Sequence, residues 1–126
     1  MKNILAILTV LALFLVSTTA FAGEGPMNLP AGAKTEAVKH NKEGIAGWNK
    51  AVKSGDKKDY KGALMHFSAA SKIDGSSGEI HFNEAICYDK IGQHGVATKH
   101  FGVALKKAGG NKKLLNSPIL KGHLGM

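Results

Sequence analysis

The side chains of this 126-residue chain most able to do chemistry are six histidines and one cysteine. His40, His66, His81, His94, His100 and His123 could ligate a metal or relay protons. Two imidazoles four residues apart would offer one helix face to zinc, but no pair has that spacing. His66 and His100 lie 34 residues apart at equivalent places of a repeat. Stacked helices keep their axes about 8–10 Å apart, too wide for those two rings to share an ion unless they lean together. Their expected role is at the boundary of the helices, and no metal-ligand set is assigned. Phosphate-cradling glycine loops, a nucleophile elbow and His-Glu-x-x-His are all absent from the sequence. Cys87 stands alone behind Ala85 and Ile86, so it reads as a small buried thiol and no internal disulfide is possible. Without Cys-x-x-Cys-His there is no covalent haem attachment. The sequence therefore predicts no catalytic residues, no cofactor and no enzyme.

The elements that would position these side chains are helices, because no stretch alternates with the period of a strand. Residues 1–22 have the form of a signal peptide: Lys2, an apolar run from Ile4 to Val16, and an Ala-x-Ala end at Ala20-Phe21-Ala22. The apolar run is shorter than the roughly 20 residues of a membrane span. Cleavage after Ala22, a periplasmic or secreted location and no retained span are the expectations. Residues 23–34 hold Pro26, Pro30 and three glycines, and read as an extended leader. Thr35 would cap a first helix carrying Val38, Ile45, Trp48 and Val52, in which Gly44 and Gly47 permit close packing. Asp59 would cap a second helix, and Ser76-x-x-Glu79 makes a capping box for a third. Gly92 would stop the third helix, and the fourth runs from His94 to about Ala108. Residues 111–126 bring Leu114, Leu115, Ile119, Leu120 and Leu124, expected to dock as a cap.

Two of these helices are copies. Ala63-x-x-His66-Phe67-x-x-Ala70-x-Lys72 recurs 34 residues later as Ala97-x-x-His100-Phe101-x-x-Ala104-x-Lys106. The first helices align better at 41, where His40-x-x-Glu43-Gly44-Ile45 matches His81-x-x-Glu84-Ala85-Ile86. The first hairpin should thus be longer, with residues 53–59 as a projecting loop. A 34-residue helix–turn–helix period with Ala-x-x-x-Phe-x-x-Ala on the second helix resembles the tetratricopeptide repeat. Ala85, Tyr88, Gly92, Ala97, Phe101 and Ala104 occupy that family's characteristic places. The resemblance implies an all-α solenoid of about two hairpins, residues 35–75 and 76–110, closed by the C-terminal segment.

The family's fold also implies a concave face on the first helix of each hairpin, where a peptide or helix lies. Carried over by position, the groove candidates are Glu79, Phe82, Ile86, Asp89 and Lys90. Asn41, Ile45, Trp48 and Asn49 are their counterparts in the first hairpin. With Phe82 and Ile86 in it, the groove would suit a protein or peptide partner with an apolar segment, and the chain would serve as an adaptor or assembly module. The alternatives are that the leader or the C-terminal turns cover this face, or that the chain carries a metal or haem non-covalently through its histidines. After residue 22 the chain keeps sixteen lysines against nine acidic residues, a net charge of +7. Every basic residue is lysine, and the absence of arginine argues against sequence-specific nucleic-acid recognition.

Overall fold

The computed structural model describes residues 24–126, so the signal-peptide segment lies outside the described residues. Six helices follow the leader: α1 Thr35–Ser54, α2 Lys57–Ile73, α3 Gly78–Lys90, α4 His94–Lys106, α5 Lys112–Leu115 and α6 Pro118–Leu124. Among the described residues there is no strand. α1 packs along α2 and α3 along α4, while α2 meets α3 and α6 rests on α4. The result is two helical hairpins side by side, with the C-terminal turns closing the second.

The first hairpin is the longer, as its repeat register predicts, but the extra residues lie in the helices. α1 has 20 residues and α2 has 17, against 13 each for α3 and α4. Gly55 turns the chain at φ 67°, and Asp56, rather than Asp59, caps α2 by accepting from the Lys58 N–H at 2.9 Å. No projecting 53–59 loop forms, because helix continues through most of it. The α3 cap is Ser77 rather than Ser76, with its hydroxyl facing the Ile80 N–H. Gly78 sets that start: its N–H donates to the Lys107 carbonyl at 2.9 Å, and an added Cβ would sit 2.5 Å from the Ala104 oxygen. The end of α4 thereby pins the beginning of α3.

Small residues and rings make the core. Ala63, Ala70, Ala97 and Ala104 are fully buried, as are Phe67, Phe82 and Phe101. Gly44 faces Phe67 so closely that a Cβ there would fall 2.5 Å from the ring, and Gly47 does the same for the Ala63 backbone at 3.2 Å. These two glycines are contact positions, where bare backbone lets the α1–α2 crossing close. Phe82 meets Phe101 edge to face, centroids 5.6 Å apart, a favourable ring geometry. Val52, one of the apolar residues that α1 carries, is exposed near the helix end. Leu114 and Leu120 are buried, which seats the C-terminal turns as the sequence predicts.

Candidate metal centres

All six histidines fall into three groups, each with two imidazoles and one carboxylate. In the first hairpin His40 and Glu43 share a face of α1, three residues apart, and His66 reaches them from α2. In the second hairpin His81 and Glu84 do the same on α3, with His100 coming from α4. The third group joins Asp89 at the end of α3, His94 at the start of α4 and His123 on α6. Within each group one ligand atom per residue lies within 4.8 Å of the others. The ring centroids of the paired histidines are 6.5, 6.3 and 6.3 Å apart.

The second-hairpin group is enclosed. The Glu84 side chain is 7 % exposed and His81 only 14 %. Glu84 Oε1 lies 3.5 Å from His81 Nδ1 and 3.9 Å from His100 Nδ1. Three ligands at typical zinc distances of about 2.0–2.2 Å stand about 3.4 Å from one another, so little movement would close this set. The outer contacts already orient it. His81 Nε2 lies 2.9 Å from the Gly75 carbonyl, which assigns a proton to that nitrogen and turns Nδ1 towards Glu84. Ser68 Oγ donates to Glu84 Oε2 at 3.3 Å, leaving Oε1 free. Tyr88 stacks on the His100 ring, centroids 5.0 Å apart. A backbone carbonyl behind one histidine and a hydroxyl behind the carboxylate are the usual outer supports of a metal site.

Charge follows from that enclosure. Contact with the Glu84 carboxylate raises the His81 pKa, against the opposing effect of burial. Burial lowers the pKa of His100, favouring the neutral imidazole that ligates metals. The Cys87 thiol is pushed up to about 12, first by burial and then by the Glu84 charge, so it supplies no thiolate. Glu84 Oε1 and His100 Nδ1 are buried with no hydrogen-bond partner, and so is His40 Nδ1 of the first hairpin. Buried polar atoms are nearly always satisfied, and an ion is one of the few explanations for orphans that converge.

The first-hairpin group is more open, with Glu43 41 % and His66 44 % exposed. His66 Nδ1 lies 3.0 Å from Glu43 Oε2, and His40 Nδ1 is 3.9 Å from the same oxygen. In the third group Asp89 Oδ1 contacts His94 Nδ1 at 2.7 Å and His123 Nε2 at 2.8 Å. His123 Nδ1 in turn meets Thr98 Oγ1 at 2.8 Å. That set is already joined by hydrogen bonds and ties α6 to the α3–α4 turn.

The groove inferred from the repeat resemblance is not an open one. Phe82 and Ile86 are core side chains, and Glu79, Asn41 and Trp48 are buried too. Ile45 is half-buried and packs on the core, while Asp89 is half-buried beside the two histidines of the third group. Lys90 and Asn49 are exposed, and the Lys90 ammonium stands 5.9 Å from the Tyr60 ring centre. Two packings explain this: Phe82 turns onto Phe101 of α4, and the leader runs between α1 and α3, bonded to Asn41 and Asn83. Asn83 Oδ1 accepts from the Met27 N–H at 2.7 Å, and both Asn83 and Asn41 donate to the Met27 carbonyl at 2.8 and 3.1 Å. Asn83 also donates to Asn41 Oδ1 at 2.8 Å, so the two amides form one buried clamp on the leader backbone. Further back, Glu24 accepts from the Ile119 N–H at 2.8 Å. What remains is an open depression of about 510 Å³ lined by Glu24, Trp48, Ile86, Asp89, Lys90, Pro118 and Ile119.

Comparison of the chain with known protein families, characterised proteins and solved structures finds no match. The sequence signal for the first two groups was the repeat itself. The 41-residue match placed His-x-x-Glu on both first helices, and the 34-residue match placed a histidine on both second helices. Reading those matches together, across one hairpin instead of between hairpins, pairs the ligands. Asn83 carried no comparable signal.

Proposed function

We propose that this protein binds divalent transition-metal ions through repeated sites of two histidines and one carboxylate. It does so on a tetratricopeptide-like pair of hairpins and, given the signal-type N-terminus, outside the cytoplasm. The carrying observation is that His-x-x-Glu on one helix and His on the next recur in both hairpins, with buried, unpartnered ligand atoms at His40 in the first and at Glu84 and His100 in the second. Imidazole with carboxylate suits zinc, copper and nickel, whereas magnesium and calcium favour all-oxygen sets. Of the two roles the sequence suggests, a metal carrier is favoured over an adaptor with an open groove, since the leader fills the face that a partner would need. The proposal is a binding protein with no catalytic role assigned.

Titration of metal-free protein with Zn2+, followed by calorimetry and by competition with a chromophoric chelator, tests this. Saturable binding of two to three ions per chain is expected from the three groups. Binding no stronger than that of a variant with all six histidines replaced by asparagine would overturn it.

A further inference from the structure

The three groups use the same donor types, but they are built differently, and the difference ranks them. We infer that the enclosed set His81, Glu84 and His100 is the high-affinity centre, selective for late first-row divalent ions, and that the other two sets are weaker and more exchangeable. This rests on the metal-binding reading and adds to it an order of filling and a class of ion.

Glu84 is the ground of the inference. Its carboxylate is more than nine-tenths buried, faces two imidazoles, and keeps one oxygen without any hydrogen-bond partner. Burying a carboxylate without full compensation is costly, and a cation beside it removes that cost. Low local dielectric strengthens the attraction further. Ligand motion has been restricted beforehand: Gly75 holds the His81 ring, Ser68 holds the second Glu84 oxygen, and Tyr88 backs His100. A pre-oriented set loses less conformational freedom on binding, which raises affinity.

Neither rival has this combination. Glu43 is partly solvated and already contacts His66, so the first set gains less from an ion and must order more exposed side chains. In the third set, His94 and His123 both contact one oxygen of Asp89 within hydrogen-bond distance, and an ion must displace those contacts. Two nitrogens and one oxygen favour ions late in the first-row affinity order, with copper(II) above zinc. No thiolate is within the set, so the soft-ligand chemistry that selects copper(I) is missing. Three protein donors leave at least one coordination position for water or an external ligand, as in exchangeable and reactive sites.

The test is chelator competition with Zn2+ on the purified protein and three single variants: Glu84→Gln, Glu43→Gln and Asp89→Asn. Glu84→Gln is expected to lose the tightest binding class, by more than the roughly 10–100-fold typical of removing an outer support. Glu43→Gln and Asp89→Asn should keep that class and lose only weaker ions. Ser68→Ala, whose ligands are all intact, should weaken the tightest class about tenfold, which keeps the test decisive if Glu84→Gln fails to fold. Loss of the tightest class in Glu43→Gln or Asp89→Asn, with Glu84→Gln and Ser68→Ala unchanged, overturns the ranking while leaving metal binding intact. Absence of any saturable binding in the wild type defeats the metal-binding reading itself. Displacement of the tightest Zn2+ by millimolar Ca2+ or Mg2+, or failure of Cu2+ to displace it, overturns the ion class.

Discussion

The two hairpins place the same three side-chain types at matching positions, yet one set is partly exposed and the other is enclosed. Position in the stack makes the difference. α1 is an outer helix whose main helical neighbour is α2, whereas α3 touches α2, α4 and α5 and is buried along most of its length. The first hairpin closes its crossing with Gly44 against the Phe67 ring, where the second hairpin has Ala85. A repeated motif therefore ends in unequal surroundings when only one copy has neighbours on both sides.

The largest effects are expected in the core. Phe82→Ala and Phe101→Ala each remove half of one edge-to-face pair in the central helices, and both should cost about 3–5 kcal/mol in denaturant unfolding. A Phe82→Ala protein as stable as the wild type would mean that α3 is not the enclosed element described here. Gly44→Ala probes the outer hairpin: its Cβ would clash with the Phe67 ring, and a loss of about 1–3 kcal/mol is expected from overpacking. The opposite change at the matching site, Ala85→Gly, should cost about 1 kcal/mol through helix propensity and about 0.8 kcal/mol more for the buried methyl it removes. Equal stability of Gly44→Ala and wild type would remove the stated reason why the two hairpins pack differently.

Leader attachment should have a similar but more local effect. Asn83→Ala strips the Met27 N–H of its partner and halves the clamp on its carbonyl, at a cost of about 1–3 kcal/mol. Limited proteolysis between residues 24 and 33 should speed up while α1–α4 stay resistant; unchanged cleavage would show that the clamp is not what holds the leader. The smallest effect is expected at Asp74. The Ser76 hydroxyl, then the Lys34 and Ser76 N–H groups, hold its carboxyl down to about 2. A carboxyl lowered by folding stabilises above its ordinary range, and that contribution is lost as pH falls from about 4 towards 2. Asp74→Asn should therefore show a shallower loss of melting temperature over that interval, and an identical acid limb would contradict the linkage.

Much of this architecture was legible in the chain. Helical periodicity marked four long helices, and the recurring Ala-x-x-His-Phe-x-x-Ala fixed how α2 and α4 pack. Glycines 44 and 47 announced a close crossing because an interior glycine otherwise costs helix stability. The burial of the expected groove was not legible, since Phe82 looks the same in sequence whether it lines a groove or packs on Phe101 in the core. Met27 is held through its backbone by two amides 42 positions apart, an interaction with no periodic trace. The ligand sets were half visible: the i,i+3 His-x-x-Glu pairs stood in the sequence, but the third ligand arrives only when the hairpin folds back. His123, which comes from the C-terminal turns, could not be paired with Asp89 before the docking of α6 was known.

The most direct test of metal binding at these sets is long-range nitrogen–proton NMR of the histidine rings during Zn2+ titration. The account predicts that the Nδ1 resonances of His81 and His100 shift first, at less than one equivalent, while His81 Nε2 keeps its proton. Resonances of the other four histidines should move only at higher Zn2+. Histidine spectra that do not change with Zn2+, or a first shift at His81 Nε2, would contradict it.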